Sequence, residues 1–219
     1  MFSKDPQLLF KYSDKNSPHF IVPNLIKEDS LVLDIGCNTG YLGNFLINKK
    51  NCVCDGVDFN RDFLKVALEN GYRKFYNINL YDSSFSIKEK YDYILLIDIL
   101  EHLPNPYEIL KKLVRENLKE RGTVIICLPN IGRLEYRISH LFGQFDYEES
   151  RILHKDHLRF FTRDSGKRLI KNCNLEINNI IPTGFGAKVK IFPTLTAFQF
   201  VYICRKKNVN YSREERNEI

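Results

Sequence analysis

The sequence predicts an α/β protein built on a mostly parallel sheet with helices on both faces. Three observations carry this. Strand-like and helix-like segments alternate from residue 31 to residue 129, the order that gives parallel sheets with right-handed crossovers. Two strand-like runs, "YDYILLIDIL" and "TVIICLP", are apolar almost without a break, as strands covered on both faces are. The last two, "LEINNIIPTG" and "FQFVYICRKK", have no helical spacing between them, which predicts an antiparallel hairpin at one edge of the sheet.

Taken in order, "SPHFIVPNLIKEDS" reads as a short proline-interrupted helix within a lead-in over residues 1–30. Leu31 to Ile35 is the first strand. In "YLGNFLINKK" the apolar Tyr41, Leu42, Phe45 and Leu46 fall at helical spacing. "CVCDGVDF" is strand-like, and "NRDFLKVALENG" is a helix with Asn60 as its N-cap and Gly71 at its end. "RKFYNINL" is the third strand and "YDYILLIDIL" the fourth. Pro104 and Pro106 open a helix, "YEILKKLVRENLKERG", whose end Gly122 marks, before the fifth strand "TVIICLP". "RDSGKRLIKNCN" is the helix preceding the hairpin. One domain is expected over 31–205, with an insertion at about 130–160 and a charged tail over 206–219 that frays at its end.

Composition narrows the partners. Lys and Arg number 33 against 27 Asp and Glu, a formal charge of +6, but the basic residues are scattered among acidic ones. A nucleic-acid partner needs them gathered on one face, so none is expected. No run reaches the roughly 18 apolar residues of a membrane span; the nearest, "IFPTLTAFQFVYIC", is short and interrupted. The six cysteines have no secretory leader before them and no metal-site spacing. Reduced core thiols in a cytoplasmic protein are the expectation. The oligomeric state is left open.

The chemistry concentrates in "LVLDIGCNTGYLGNFL", a glycine turn at the end of the first strand, where open parallel sheets bind ligands. A dinucleotide fingerprint, G-x-G-x-x-G, fails twice from Gly36: its third position is Asn38 and its sixth Tyr41. Asp34 would also oppose a pyrophosphate, whereas a ligand carrying an ammonium and a sulfonium would welcome it. At the end of the second strand, Asp58 lies 18 residues after Gly40, near the spacing of an acidic residue that binds a ribose. Its two oxygens can accept both O–H groups of a cis-diol, and Phe59 follows, placed to lie on an adenine face.

"VLDIGCNTG", "GVDFN" and "YDYILLIDILEHLPNP" together resemble the successive motifs of class I S-adenosylmethionine-dependent methyltransferases, over about residues 18 to 205. The resemblance implies a Rossmann-like, seven-stranded sheet with an antiparallel last strand, S-adenosylmethionine as cofactor and a small-molecule acceptor. "IDILEHLPNP" is similar to the branch that includes ubiquinone-type enzymes. "CLPNIGRLEYRISHLFGQFDYEESRILHKDHLRFFTRDS" is similar to methyltransferases found with cell-surface glycan biosynthesis, which makes a sugar or glycan precursor an expected acceptor.

Carried over by motif, Asp34, Gly36, Asn38 and Gly40 shape the methionine end of the cofactor. Asp58 holds the ribose, Phe59 flanks the adenine, and Asn79 with Leu80 meets its amino group, where the family often has an acidic residue. Asp98 faces the methyl, with Glu101 and His102 beside it. Asn38 replaces the middle glycine of the family's turn, and Asn tolerates the left-handed backbone needed there.

Other readings stand beside these. Glu101 and His102 could simply start a surface helix. His157 is the foremost candidate for general base or substrate contact, with His102 the other. Arg133 and Arg137 could hold an anionic acceptor or be solvated charges. His154 and His157 would lie one turn apart on a helix, but no third ligand is evident and methyl transfer needs no metal, so no metal is expected. The rival functions are a cofactor-binding regulatory module without turnover, a quinone or other metabolite methyltransferase, a nucleic-acid or protein methyltransferase, and a nicotinamide-dependent dehydrogenase.

Overall fold

The computed structural model describes residues 14–149, 152–189 and 191–207. Its strands are β1 (Leu31–Ile35), β2 (Val53–Asp58), β3 (Lys74–Asn77), β4 (Tyr91–Ile97), β5 (Leu118–Pro129), β6 (Leu175–Pro182) and β7 (Gln199–Lys206). The helices are α1 (Pro18–Leu25), α2 (Tyr41–Lys50), α3 (Arg61–Glu69), α4 (Pro106–Glu116), α5 (Leu134–Leu141), α6 (Arg163–Asn172), α7 (Phe185–Val189) and α8 (Pro193–Thr196), with a 3-10 turn at Leu100–His102.

All seven strands form one sheet in the order β3-β2-β1-β4-β5-β7-β6. The first five pair in parallel. β7 runs antiparallel to both β5 and β6, so the expected hairpin is present with its second strand inside the sheet and β6 at the edge.

Alternation along each strand divides the core. Leu33, Ile35, Ile94, Leu96, Val124, Ile126 and Tyr202 face one side, against Leu110 and Leu113 of α4 and Ile170 of α6. Val32, Leu95, Ile125 and Val201 face the other, against Val22 of α1, Leu46 of α2 and Ala67 of α3. Each fully buried aliphatic side chain contributes about 1.5–3 kcal/mol, which fixes the register of strands covered on both sides. All six cysteines are free and buried.

Several boundaries differ from the sequence expectation. The helix expected to reach Gly122 stops at Glu116. Asn117 is fully buried and its amide donates to the carbonyls of Ile87 and Glu89, at 2.7 and 3.0 Å. Leu118 beside it is buried too, so the chain enters the sheet early and β5 is long. β3 ends at Asn77, after which the Asn79 side chain accepts from the backbone of Tyr81 at 3.0 Å and closes a turn. β4 ends before Asp98, whose φ is 53°. The hairpin strands are joined through α7 and α8, which are five and four residues long and too short to show a helical period. Residues 1–13 of the lead-in and 208–219 of the tail lie outside the described residues.

Candidate functional site

β1 and β4 are neighbours at the point where strand order reverses, so a crevice opens beyond their carboxyl ends. The turn leaving β1 has positive φ at Gly36 (72°), Asn38 (51°) and Gly40 (83°). The backbone N–H groups of Gly36 and Cys37 both donate to the Val57 carbonyl, at 2.8 and 3.1 Å. Asn38 N–H donates to Asp58 Oδ2, and Asn60 N–H to Asp58 Oδ1, each at 3.0 Å. Both oxygens of Asp58 keep acceptor capacity beyond these bonds. A side chain at position 36 would press within 2.9 Å of Ile99, so the glycine lets Ile99 pack against the turn.

Asp34 lies behind this turn. It is buried, and its Oδ2 accepts from the Tyr72 hydroxyl at 2.6 Å. The same hydroxyl accepts from Gly43 N–H at 3.0 Å. Burial raises the Asp34 carboxyl to about 6; the Tyr72 hydrogen bond opposes this and the Asp58 charge adds to it. The Tyr72 ring is wedged against the turn: a β-carbon at Gly43 would meet it at 2.2 Å and one at Gly40 at 2.7 Å. Tyr72 was not anticipated, since nothing local marks it beyond its place after Gly71.

A cleft of about 380 Å³ is lined by Gly36, Asn38, Asp58, Phe59, Asn79, Leu80, Asp98 and His102, together with the unanticipated Phe63, Ile99 and Asp156. A second cavity of about 420 Å³ is lined by His19, Asp98, Arg133, Phe185, Phe198 and Gln199, among others. Asp98 is common to both. Its Oδ1 accepts from Gln199 Nε2 at 2.5 Å. Arg133 lies 5.3 Å over the Phe198 ring and pairs with Glu135 at 2.9 Å. Arg137 lines neither; its Nε donates to the Gly132 carbonyl at 2.7 Å and ties down the start of α5. Asp34 and Gly40 support the cleft from behind rather than lining it.

His157 meets the cleft through His102. Their rings stand near-perpendicular (80°) with centroids 4.7 Å apart. The segment carrying His154 and His157 is a turn, not a helix, closed by His157 N–H to the His154 carbonyl at 3.0 Å. Leu158 and Arg159 N–H both donate to the Glu101 carbonyl, at 2.8 and 3.0 Å, seating this loop on the 3-10 turn. His102 Nδ1 lies 3.1 Å from the Asp156 carbonyl and His157 Nδ1 2.8 Å from that of Ile152. A carbonyl only accepts, so in the neutral rings Nδ1 carries the proton and Nε2 the lone pair. Burial lowers both imidazole pKa values. Glu101 is buried, and both burial and the Asp98 charge push its carboxyl well up.

The residues present fit S-adenosylmethionine. Asp58 offers spare acceptors for a diol, Phe59 and Leu80 give apolar walls, and Gly36 lines the cleft with backbone alone. A family model described as a methyltransferase domain matches residues 9–179. A ubiquinone biosynthesis O-methyltransferase of Coxiella burnetii is 25% identical over 164 residues, 69% of each chain. A protein of the same name from Glaesserella parasuis is 32% identical over 108 residues, 45% of each chain, so this chain spans less than half the length of that relative. The solved structure of a possible histamine N-methyltransferase from Thermotoga maritima shares the fold, with a TM-score of 0.63 at 16% identity over 86% of this chain and 87% of that one. No helix among the described residues is long and apolar enough to cross a membrane. With its seven-stranded Rossmann-like sheet and the family match over most of its length, the chain belongs to the methyltransferase domain family and is an S-adenosylmethionine-dependent methyltransferase.

Proposed function

We propose that this enzyme methylates a hydroxyl oxygen of a small-molecule acceptor seated on the Asp98–His102–His157 side of the cleft. The observation that carries the reading is the pair of imidazoles whose Nδ1 atoms are engaged by carbonyls. Each keeps an Nε2 lone pair able to take a proton.

Asp58 would hold the ribose hydroxyls, Phe59 and Leu80 flank the adenine, and Asn79 meet its amino group. Gly36 and Asn38 present backbone to the methionine end, with Asp34 and Gly40 supporting them. The bound cofactor supplies a sulfonium methyl open to in-line displacement. Asp98 and Glu101 bound the reacting region, and the walls align the two reactants, the larger share of acceleration in such reactions. His157 or His102 would take the proton of the acceptor hydroxyl at Nε2, typically worth 10²–10⁴-fold.

The names of the relatives favour a quinone-pathway metabolite as acceptor. Arg133 in the second cavity favours an acceptor bearing an anionic group, and a phosphate-bearing sugar is the second reading. The test follows S-adenosylhomocysteine formation with phenolic quinone precursors and with sugar phosphates. His157→Ala and His102→Ala are expected to lower kcat on the order of 10²-fold or more for the true acceptor class. Cofactor binding without turnover on any acceptor would replace the enzyme reading with a regulatory module. Intact turnover in both variants would remove the base assignment.

A further inference from the structure

We infer that Glu101, His102 and His157 form a binding site for one divalent transition-metal cation beside the cofactor cleft. One candidate ligand atom from each residue, all within 4.8 Å of one another, could surround a single ion. The sequence offers no such trio, because His157 lies 55 positions beyond His102, and spacing alone sets it beside His154.

Three independent features support a cation. Glu101 is 1% exposed, and its Oε2 is buried without a hydrogen-bond partner among the described residues. Leaving a buried acceptor unpaired costs about 1–3 kcal/mol, more if it is charged, and a bound cation removes that cost. Both histidines are braced as metal ligands usually are, with one ring nitrogen held by a backbone carbonyl and the other bearing the lone pair. Finally, the two hydrogen bonds from Leu158 and Arg159 to the Glu101 carbonyl fix the His157 loop to the turn bearing the other two ligands.

Two imidazoles and a carboxylate suit zinc, cobalt, manganese or iron better than the oxygen-seeking magnesium and calcium. Three protein ligands leave at least one position open, the arrangement of catalytic rather than structural metal sites. His102 lines the cleft, so the open position would take the acceptor oxygen and favour its ionised form. The hydroxyl proton then leaves to solvent; with the cation bound the two Nε2 atoms are ligands, and the base role proposed above belongs to the cation-free enzyme. That role rests on the methyl-transfer reading; the binding of the cation does not.

The test titrates chelator-treated protein with Co²⁺ and reads visible d–d absorption. One equivalent is expected to bind, without a thiolate charge-transfer band because every cysteine is buried. Glu101→Gln and His157→Gln are each expected to weaken cobalt binding by roughly tenfold or more. Calorimetry with S-adenosylmethionine, run on the same variants, should show donor affinity kept within about threefold, which certifies the fold. Absence of saturable absorption up to about 1 mM Co²⁺, or equal binding in wild type and both variants, would overturn the inference. The methyl-transfer reading fails separately, if the wild-type protein does not bind S-adenosylmethionine.

Discussion

Asp34 lies behind the turn that leaves β1 without reaching the cleft, and its burial has a measurable signature. Its folded pKa of about 6 stands above the ordinary 3.8, so between these values the folded state holds a proton that the unfolded chain has released. The associated stability is fully present below pH 3.8 and is lost as pH rises through 6. Relative to Asp34→Asn, wild-type stability should therefore fall by roughly 2 kcal/mol between pH 4 and pH 7. Urea midpoints for both proteins across that range check it; parallel curves would refute it. At this scale the sequence was uneven. Asn38 and Asp58 were legible because each sits in a local motif, and the left-handed backbone expected at Asn38 is present at φ 51°. Tyr72 and Gln199 were not, because they meet Asp34 and Asp98 across 38 and 101 positions.

Between elements, the Tyr72 ring keys α2 to β2. Gly43 on α2 and Gly56 on β2 both face it, with β-carbons there falling at 2.2 and 3.0 Å from its atoms. Gly43→Ala should therefore cost about 1–3 kcal/mol through overpacking, although alanine favours helix elsewhere. A chemical-denaturation midpoint unchanged or raised would show that the ring can move aside. The periodic segments made the strands and long helices readable, and their boundaries less so. The end of α4 was misplaced because Gly122 is a strong local stop signal, while the buried amide of Asn117 acts through Ile87 and Glu89. α7 and α8 hold too few residues for any period to appear.

Across the whole molecule, cofactor binding to the folded state alone must raise thermal stability by mass action. At a hundredfold excess over Kd this amounts to about 2.7 kcal/mol, or roughly 5–11 °C in Tm for a chain of this size. Differential scanning fluorimetry should show that shift with S-adenosylmethionine and none with NAD; the reverse would restore the dehydrogenase reading. The parallel half of the sheet and seven strand-like segments followed from alternation and apolar runs, whereas the place of β7 between β5 and β6 did not. β7 has a further consequence. It follows every other strand among the described residues yet lies between β5 and β6, and its first residue, Gln199, donates to Asp98. During synthesis the β5 edge therefore lacks its native partner until β7 is made, and such an edge is a template for wrong partners. The bond from Gln199 to the carboxylate shared by the two cavities can form only after β7 has left the ribosome and entered that gap.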